Sequence, residues 1–325
     1  GGLAVAAGPL VGGAITQGVN WHWIFWVNAP IGVAVVLLSL VRLPESKGPA
    51  TRLDPVAVAL VGLGAMLVVW GLIRAGDEGW QSGPALGTMA AGLLLLLGFV
   101  VWEIRVPEPM LPMHLFRSRS FTAGNTTGFL MSGTIFSAAF LIAQFMQFGL
   151  GNSPLDTGLR LLPWTATPIV VAPLAGIFAD RIGTRPVLVT GMLLQGLGLV
   201  WFAQVANTGA AYWQMVLPLL VAGIGVSMAI PIASTVVVSA VKPHEMGKAS
   251  GVNSTMQRLG SAFAVALAAA VFASNGHIGT AASFSAGFHP ALTVVAGLSL
   301  LGAITALAVR PRPVPAATRA IAEAA

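Results

Sequence analysis

Ten long apolar segments divide the sequence, and they constrain its fold more than any other feature. They cover residues 1–17, 24–42, 55–75, 84–103, 121–148, 157–179, 186–206, 212–240, 249–273 and 288–309. A helix needs about 20 apolar residues to cross a hydrocarbon core of about 30 Å. Only helices and closed barrels satisfy their backbone hydrogen bonds in lipid, and runs such as LLLLLGFVVW lack the alternation of barrel strands. The sequence therefore predicts an all-α polytopic membrane protein with about ten transmembrane helices.

The composition excludes several other classes of protein. Hydrophobic residues make up 56% of the chain and charged residues only 8%, whereas about a quarter of the residues in a soluble domain are charged. The net charge of +6 comes from too few side chains to form a basic stripe, so no nucleic-acid partner is expected. The chain has no cysteine, which excludes disulfides and thiolate chemistry.

Neither a catalytic site nor a metal site is indicated by the sequence. All five histidines fall in connections or at helix ends, and no HExxH or paired-carboxylate pattern occurs. An intramembrane enzyme, the alternative from a different functional class, would need a cluster of His, Asp or Glu inside the spans. The predicted span interiors contain no such cluster, so no enzyme activity and no bound cofactor are expected.

The basic residues predict how the spans are oriented. If the spans alternate in direction, every second connection lies on the same side of the membrane. Thirteen of the sixteen Lys and Arg residues fall on that one side: Arg42, Lys47, Arg52, Arg105, Arg117, Arg119, Arg181, Arg185, Lys242, Lys248, Arg310, Arg312 and Arg319. Cytoplasmic connections carry an excess of Lys and Arg. This side is therefore predicted to be cytoplasmic, together with the C-terminus.

Four motifs follow one another along the chain. GPLVGG lies in the first span and leads to WHWIFWVNAPIG, and WEIRVPEPMLPMHLFRSRSF follows the fourth span. NSPLDTGLRLLPW and GIFADRIGTRP border the sixth. Together they resemble the motifs of the 14-span drug:proton antiporters of the EmrB/QacA type, in the major facilitator superfamily. The match departs at Ala4, where a glycine is usual, at Phe178 in place of leucine, and at Thr184 in place of a basic residue.

The resemblance implies a partial major facilitator fold that begins at the fifth of fourteen spans. Residues 1–43 would be the last two helices of the N-terminal bundle, residues 44–104 a linker and two inserted helices, residues 105–309 the C-terminal six-helix bundle, and residues 310–325 a cytoplasmic tail. The four preceding spans would carry the acid that handles protons. A chain without them is expected to be inert on its own, and a genuine ten-helix protein is the alternative.

The function implied by the resemblance is proton-coupled efflux of drugs or other small molecules across a bacterial plasma membrane. The expected partners are an amphipathic or cationic substrate and the lipid bilayer, and the energy source is the proton gradient rather than a cofactor. Export of an endogenous metabolite or antibiotic is the alternative within the same fold.

Two of the motifs carry candidate functional residues. By resemblance, Gly8, Pro9, Gly12 and Gly13 form the antiporter motif; Gly8 and Gly12 share a helix face that allows close packing, and Pro9 can bend the helix. The second motif is a cytoplasmic turn. By resemblance it would act as a gate; the alternative is that its charges only cap a helix and set the topology. Its residues are Gly176, Asp180, Arg181, Gly183 and Arg185.

Other polar residues are candidates for a substrate cavity. Arg258 lies about 15 Å along a helix from Lys248, near the middle of its span, where a charge costs at least about 2.5–3.5 kcal/mol unless it faces protein or water. Asn253 and Gln257 adjoin it, and Gln144 and Gln147 lie in the outer part of the fifth span. The alternative for Gln144 and Gln147 is hydrogen bonding between helices, and the alternative for Arg258 is that its side chain extends to the inner membrane surface.

Two further sets of charges have the spacing of local ion pairs. Asp156 and Arg160 are four residues apart, and Arg74 lies near Asp77 and Glu78. Such pairs contribute about 0.2–0.5 kcal/mol. We expect an outer ion pair between Asp156 and Arg160.

Overall fold

The structure, a computed structural model, describes residues 2–42, 54–107, 109–207 and 209–310. Lys47, Arg52, Arg312 and Arg319, together with the predicted tail from residue 311 onward and most of the predicted linker, lie outside these residues.

Helices make up the described chain, joined by short connections. They are α1 (Gly2–Gly18), α2 (Trp23–Trp26), α3 (Asn28–Arg42), α4 (Pro55–Glu78), α5 (Gly83–Arg105), α6 (Arg119–Gln144), α7 (Pro154–Arg160), α8 (Leu162–Thr165), α9 (Thr167–Ile182), α10 (Thr184–Val205), α11 (Tyr212–Ser239), α12 (Met246–Asn275) and α13 (Ala281–Leu307). Within the described residues, nine helical stretches are long and apolar enough to cross a membrane, and a shorter apolar helix covers Leu3–Gly18. The predicted all-α polytopic fold is confirmed.

Residues 157–179 were predicted to form one continuous helix, but the chain there forms parts of three consecutive helices, so that prediction was wrong. Helices α7, α8 and α9 each carry a proline in the first two positions, namely Pro154, Pro163 and Pro168. Proline has no N–H to donate and is best tolerated in the first turn of a helix. The chain therefore restarts its helix at each proline rather than running straight through.

Six helices of the second half pack around one another. Helices α10 and α13 and the π-turn that follows α6 (Phe145–Gly149) contribute a buried cluster of phenylalanines, in which the rings of Phe145 and Phe288 stack at 4.6 Å. Elsewhere glycines bring the backbones together: a Cβ on Gly133 of α6 would lie 2.8 Å from the carbonyl oxygen of Gly260 on α12. Close packing of small residues is what holds helices together in lipid, because lipid tails are as apolar as the side chains.

Helices α4 and α5 form a hairpin that packs on α12. At its open end, the Asp54 carboxylate accepts hydrogen bonds from the Trp102 indole N–H (2.7 Å) and from the backbone N–H groups of Ala57 and Val56. These bonds hold the pKa of the Asp54 carboxyl below its ordinary value. At the closed end, the Trp80 indole N–H donates to the Ser274 hydroxyl of α12 at 3.0 Å.

Three of the predicted Lys- and Arg-rich connections, those before α6, before α12 and after α13, meet at one end of the molecule. His114 Nε2 lies 2.7 Å from Glu245 Oε1, and the Arg310 backbone N–H donates to the Ser120 hydroxyl at 3.1 Å. We call this the basic end; it comprises Asp54, Trp102, Glu103, residues 110–120, residues 240–248 and Arg310. The starts of α6 and α12 and the end of α13 therefore lie at the same end, as alternation of the spans predicts for these three helices.

Candidate functional site

A cleft of about 820 Å³ lies between α4, α6 and α12. We call it the α12 cleft. Its apolar wall includes Val69 and Ile73 of α4 and Phe136 of α6. Its polar wall consists of Ser132 of α6 and four residues of α12, namely Ser254, Gln257, Arg258 and Ser261. Arg258 sits near the middle of α12, so the polar wall is far from both helix ends.

The polar wall is connected by hydrogen bonds, but the guanidinium of Arg258 is not part of them. The Ser132 hydroxyl donates to Gln257 Oε1 at 3.3 Å, and the Ser261 hydroxyl donates to the Gln257 carbonyl at 2.9 Å. Arg258 is exposed in the cleft and forms no ion pair within the described chain. A mid-span arginine exposed in a cleft can meet an anionic or polar group of a bound molecule.

The other cavity candidates lie elsewhere. Asn253 is buried, and its Nδ2 donates to the Ser234 hydroxyl of α11 at 3.2 Å, so it joins two helices instead of lining the α12 cleft. Gln144 is the last residue of α6, and Gln147 lies in the π-turn Phe145–Gly149 that follows. Both glutamines are half-buried and do not line the α12 cleft. Of the amides, the structure brings only Gln257 to Arg258.

The antiporter motif contacts α7, but through a different helix face from the one predicted. A Cβ on Gly13 would lie 2.5 Å from the Pro154 carbonyl oxygen, and a Cβ on Gly158 would lie 2.5 Å from the Pro9 carbonyl oxygen. Nothing among the described residues lies within 4 Å of a Cβ built on Gly8 or Gly12. Within the described residues α1 therefore contacts α7 through the reciprocal Gly13–Gly158 packing, on another face of α1, and the packing role of Gly8 and Gly12 stays a prediction.

Sequence reasoning missed two residues of this contact. Gly158 lies in the motif NSPLDTGLRLLPW, where its small size was the available signal. Gln17, one helical turn beyond Gly13, accepts a hydrogen bond from the backbone N–H of Leu155 at 3.2 Å. That N–H belongs to the first turn of α7, where backbone donors have no partner inside the helix. The contact therefore combines close backbone packing with a cap supplied by α1.

The predicted gate connects α9 and α10 at a tight turn. Gly183 has φ +91°, a conformation that favours glycine, and its N–H donates to the Ala179 carbonyl at 2.9 Å. Asp180 lies in the last turn of α9, and the residue before α10 is Gly183, which makes no side-chain cap. The proposed capping role of Asp180 is therefore wrong, because α9 continues past it to Ile182.

The charges and the remaining glycine of this turn face outward. Asp180 and Arg181 are exposed, and Arg185 is half-buried. No hydrogen bond or ion pair to the Asp180 carboxylate occurs within the described part of the chain. A Cβ on Gly176 meets no described atom within 4 Å. The turn thus presents free polar groups at its surface, and their role as a gate stays a prediction.

The predicted outer ion pair is absent. The Asp156 carboxylate accepts a hydrogen bond from the Ser153 hydroxyl at 2.7 Å, in the first turn of α7, where the helix dipole favours an acid. The Arg160 guanidinium instead lies 5.2 Å from the centre of the Tyr212 ring, a cation–π distance. Although Asp156 and Arg160 have the spacing of an ion pair, Arg160 packs on Tyr212 of α11 instead. Arg74 and Glu78 do pair, at 2.9 Å.

Glu103, near the end of α5, is an acid that the sequence analysis overlooked. Its side chain is only 2% exposed, although it lies within two residues of the helix end. The Leu111 backbone N–H donates to its Oε2 at 3.1 Å, while its Oε1 has no hydrogen-bond partner among the described residues. The available signal was its position, since it directly follows an apolar span and Trp102.

The fold and the cleft together define a class of protein: a polytopic helical membrane protein with polar groups in a cleft near the middle of its spans, where secondary transporters place their sites. The family profile of the Major Facilitator Superfamily matches residues 125–325. The chain belongs to the major facilitator superfamily.

Curated relatives are transporters. The Tetracenomycin C resistance and export protein of Streptomyces glaucescens is 32% identical over 276 residues, covering 84% of this chain and 51% of the relative. The probable actinorhodin transporter of Streptomyces coelicolor is 31% identical over 83% of this chain and 49% of its own length. The multidrug export protein EmrB of Escherichia coli is 28% identical over 79% of this chain and 51% of its own length. The chain thus spans about half the length of these relatives.

A solved structure shares the fold. The crystal structure of the peptide transporter POT superposes with a TM-score of 0.56 at 18% sequence identity, covering 95% of this chain and 64% of that one. The resemblance to the drug:proton antiporters of the EmrB type, first seen in four motifs, agrees with the relatives found.

Proposed function

We propose that the protein, at its full natural length, exports drugs or other small molecules across the bacterial plasma membrane in exchange for protons. The single observation that carries the proposal is the α12 cleft, in which Arg258, Gln257 and Ser132 present polar groups at mid-span opposite an apolar wall. Such a surface suits an amphipathic molecule with a polar or anionic group. Curated relatives named for multidrug transport and multidrug export support the same activity.

A second candidate is the export of a metabolite or antibiotic that the producing cell makes itself. The observation that favours it is the relationship to two Streptomyces proteins, one named for tetracenomycin C resistance and export and the other a probable actinorhodin transporter. Export of an endogenous compound and export of drugs use the same helix bundle, so they differ only in which molecule the cleft accepts.

In this proposal each region of the fold has one task. The α12 cleft binds the substrate, the Gly13–Gly158 contact seals the outward side between α1 and α7, and the turn at Asp180 controls the inward side. The basic end, with the C-terminus, faces the cytoplasm. By resemblance, the acid that exchanges protons lies in spans that precede this chain.

The proposal is tested with the full-length protein in proteoliposomes. A pH gradient is imposed, and the transport of ethidium and of tetracenomycin C is followed by fluorescence. We expect at least one compound to move against its gradient and to stop when nigericin collapses the pH gradient. Faster movement of tetracenomycin C than of ethidium would favour the second candidate. Transport of neither compound above that of empty vesicles would contradict both. Residues 1–325 alone should give no transport.

In the proposed gate the Asp180 carboxylate gains a hydrogen-bond partner when the inward side closes. Replacing Asp180 by asparagine should therefore reduce transport by about tenfold or more, the effect of losing a hydrogen bond to a charged group. The thermal stability should not change, because no described hydrogen bond depends on this carboxylate. The matched control is Asp77→Asn, which removes an exposed acid at the opposite end of the molecule. Transport at the wild-type rate would leave Asp180 with a role in topology only.

A further inference from the structure

The lining of the α12 cleft changes along its length. The residues of α12 that line it nearer the basic end are polar, namely Ser254, Gln257, Arg258 and Ser261. The lining residues of α12 farther from that end are apolar, namely Ala262, Val265, Ala266 and Ala269. Each section extends over about 10 Å of helix. The cleft therefore has a polar section and an apolar section, one after the other along the bundle.

Helix α6 follows the same order. Its Ser132 hydroxyl donates to Gln257 Oε1 in the polar section, and Phe136 lies one turn farther from the basic end, in the apolar section. Phe136 is 57% exposed, so its ring is open to a bound molecule. It is the only aromatic residue among the lining residues that the structure describes, so these residues form no aromatic cage for an organic cation.

The α4–α5 hairpin forms the facing wall of the apolar section. A Cβ on Gly76 of α4 would lie 2.9 Å from the Cα of Ala270 on α12, and both helices begin at the basic end. Val69 and Ile73, about two turns and one turn before Gly76, therefore lie beside the apolar section, and both line the cleft. The hairpin thus sets the width of the space that an apolar group can occupy.

Arg258 carries the only charge among the described lining residues, and no ion pair in the described chain uses it. The acids Asp77 and Glu78 follow Gly76 on α4. Gly76 lies beside Ala270, which is about 18 Å along α12 from Arg258, so the two acids are too distant to pair with its guanidinium. An anion in the cleft would gain charge-assisted hydrogen bonds from the planar donor fork of arginine, whereas a cation would be repelled.

We propose that the α12 cleft binds amphipathic organic anions as its substrates. The acidic group of the substrate, a carboxylate or a sulfonate, accepts hydrogen bonds from Arg258, and its apolar body lies between Phe136 and the hairpin residues Val69 and Ile73. The polar section thus fixes the orientation of the molecule, and the apolar section limits its width. This inference rests on the proposed function, because it takes the cleft as the substrate site, and it narrows the substrate to one charge class.

The test compares two ligands that share an apolar body and differ in charge. Pyrenebutyrate is an anion, and pyrenylbutyl trimethylammonium carries the same rings and linker on a cation. Full-length protein in phosphatidylcholine nanodiscs is equilibrated with each compound by dialysis, and the bound fraction is measured by fluorescence, with empty nanodiscs subtracted. We expect the anion to bind about tenfold more tightly, which corresponds to about 1.4 kcal/mol. Equal binding, or tighter binding of the cation, would overturn the proposal.

Variants of Arg258 assign the preference to this side chain. Arg258→Gln removes the charge but keeps an N–H donor, and it should bring the preference for the anion to near one. Arg258→Lys keeps the charge and should retain most of the preference. The matched control is Arg74→Gln, which removes an arginine of α4 that does not line the cleft and should bind as wild type. An unchanged preference in Arg258→Gln would contradict the assignment.

A variant in the apolar section tests where the body of the ligand lies. Ala262 is exposed in the cleft, one turn past Arg258, so the ring added by Ala262→Phe fills open space. This variant should abolish binding of pyrenebutyrate, and retained binding would contradict the proposed orientation.

Binding and export are measured separately, so the two proposals can fail independently. Preferential binding of pyrenebutyrate without its export from proteoliposomes would support the anion preference and contradict the proposed export. Proton-dependent export of ethidium by a protein that prefers the ammonium compound would support export and contradict the anion preference.

Discussion

Replacing Arg258 by alanine in the full-length protein should abolish transport while the protein still folds and inserts. Arg258 lies at mid-span in the α12 cleft, and no ion pair in the described chain uses its guanidinium. Its loss therefore removes a binding group without breaking a structural contact. Hydrogen bonds to a charged group contribute about 1.5–3 kcal/mol each, so losing two is enough to bring transport to background. The measurement is efflux in proteoliposomes, with protein levels checked by immunoblot.

Arg258→Lys distinguishes charge from shape. Lysine keeps the positive charge but loses the planar fork of donors, so we expect some of the transport to remain. Arg74→Ala is the matched control, because it removes an arginine whose partner, Glu78, is an exposed neighbour on the same helix. That variant should transport normally. Wild-type transport by Arg258→Ala would show that Arg258 does not contribute to substrate binding.

Replacing Gly13 by alanine should separate α1 from α7 and lower both stability and transport. A methyl group on Gly13 would lie 2.5 Å from the Pro154 carbonyl oxygen, which is backbone and cannot rotate away. Overpacking of this kind costs about 1–3 kcal/mol. Gly158→Ala should have the same effect, since its methyl group would meet the Pro9 carbonyl at 2.5 Å. The measurements are the Tm in detergent and substrate leak in vesicles without a proton gradient.

Gly12→Ala is the control within the same motif. Its methyl group would meet no described atom within 4 Å, and alanine is favoured over glycine in a helix by about 1 kcal/mol. Its Tm should equal or exceed that of wild type. A lower Tm for Gly12→Ala than for Gly13→Ala would contradict the Gly13–Gly158 contact.

The sequence by itself was enough to determine the membrane spans, the end at which the basic connections gather and the local pair Arg74–Glu78. In lipid each helix must satisfy its own backbone hydrogen bonds, so a long apolar run predicts a helix without knowledge of its neighbours. Side chains four residues apart on a helix are likewise neighbours whatever the fold. The superfamily could also be predicted, since its motifs are short and contiguous.

Only the tertiary structure decided which of these residues meet. Arg160 contacts Tyr212, which is remote in sequence, instead of the nearby Asp156. Gly13, and not Gly8 or Gly12, contacts α7. Glu103 looked like an ordinary charge at a helix end, yet the hairpin and α12 enclose it in an apolar cavity. Helical periodicity places residues on faces, but it does not say which face meets another helix or how closely. That choice depends on packing between helices distant along the chain, where a single methyl group is enough to exclude one arrangement.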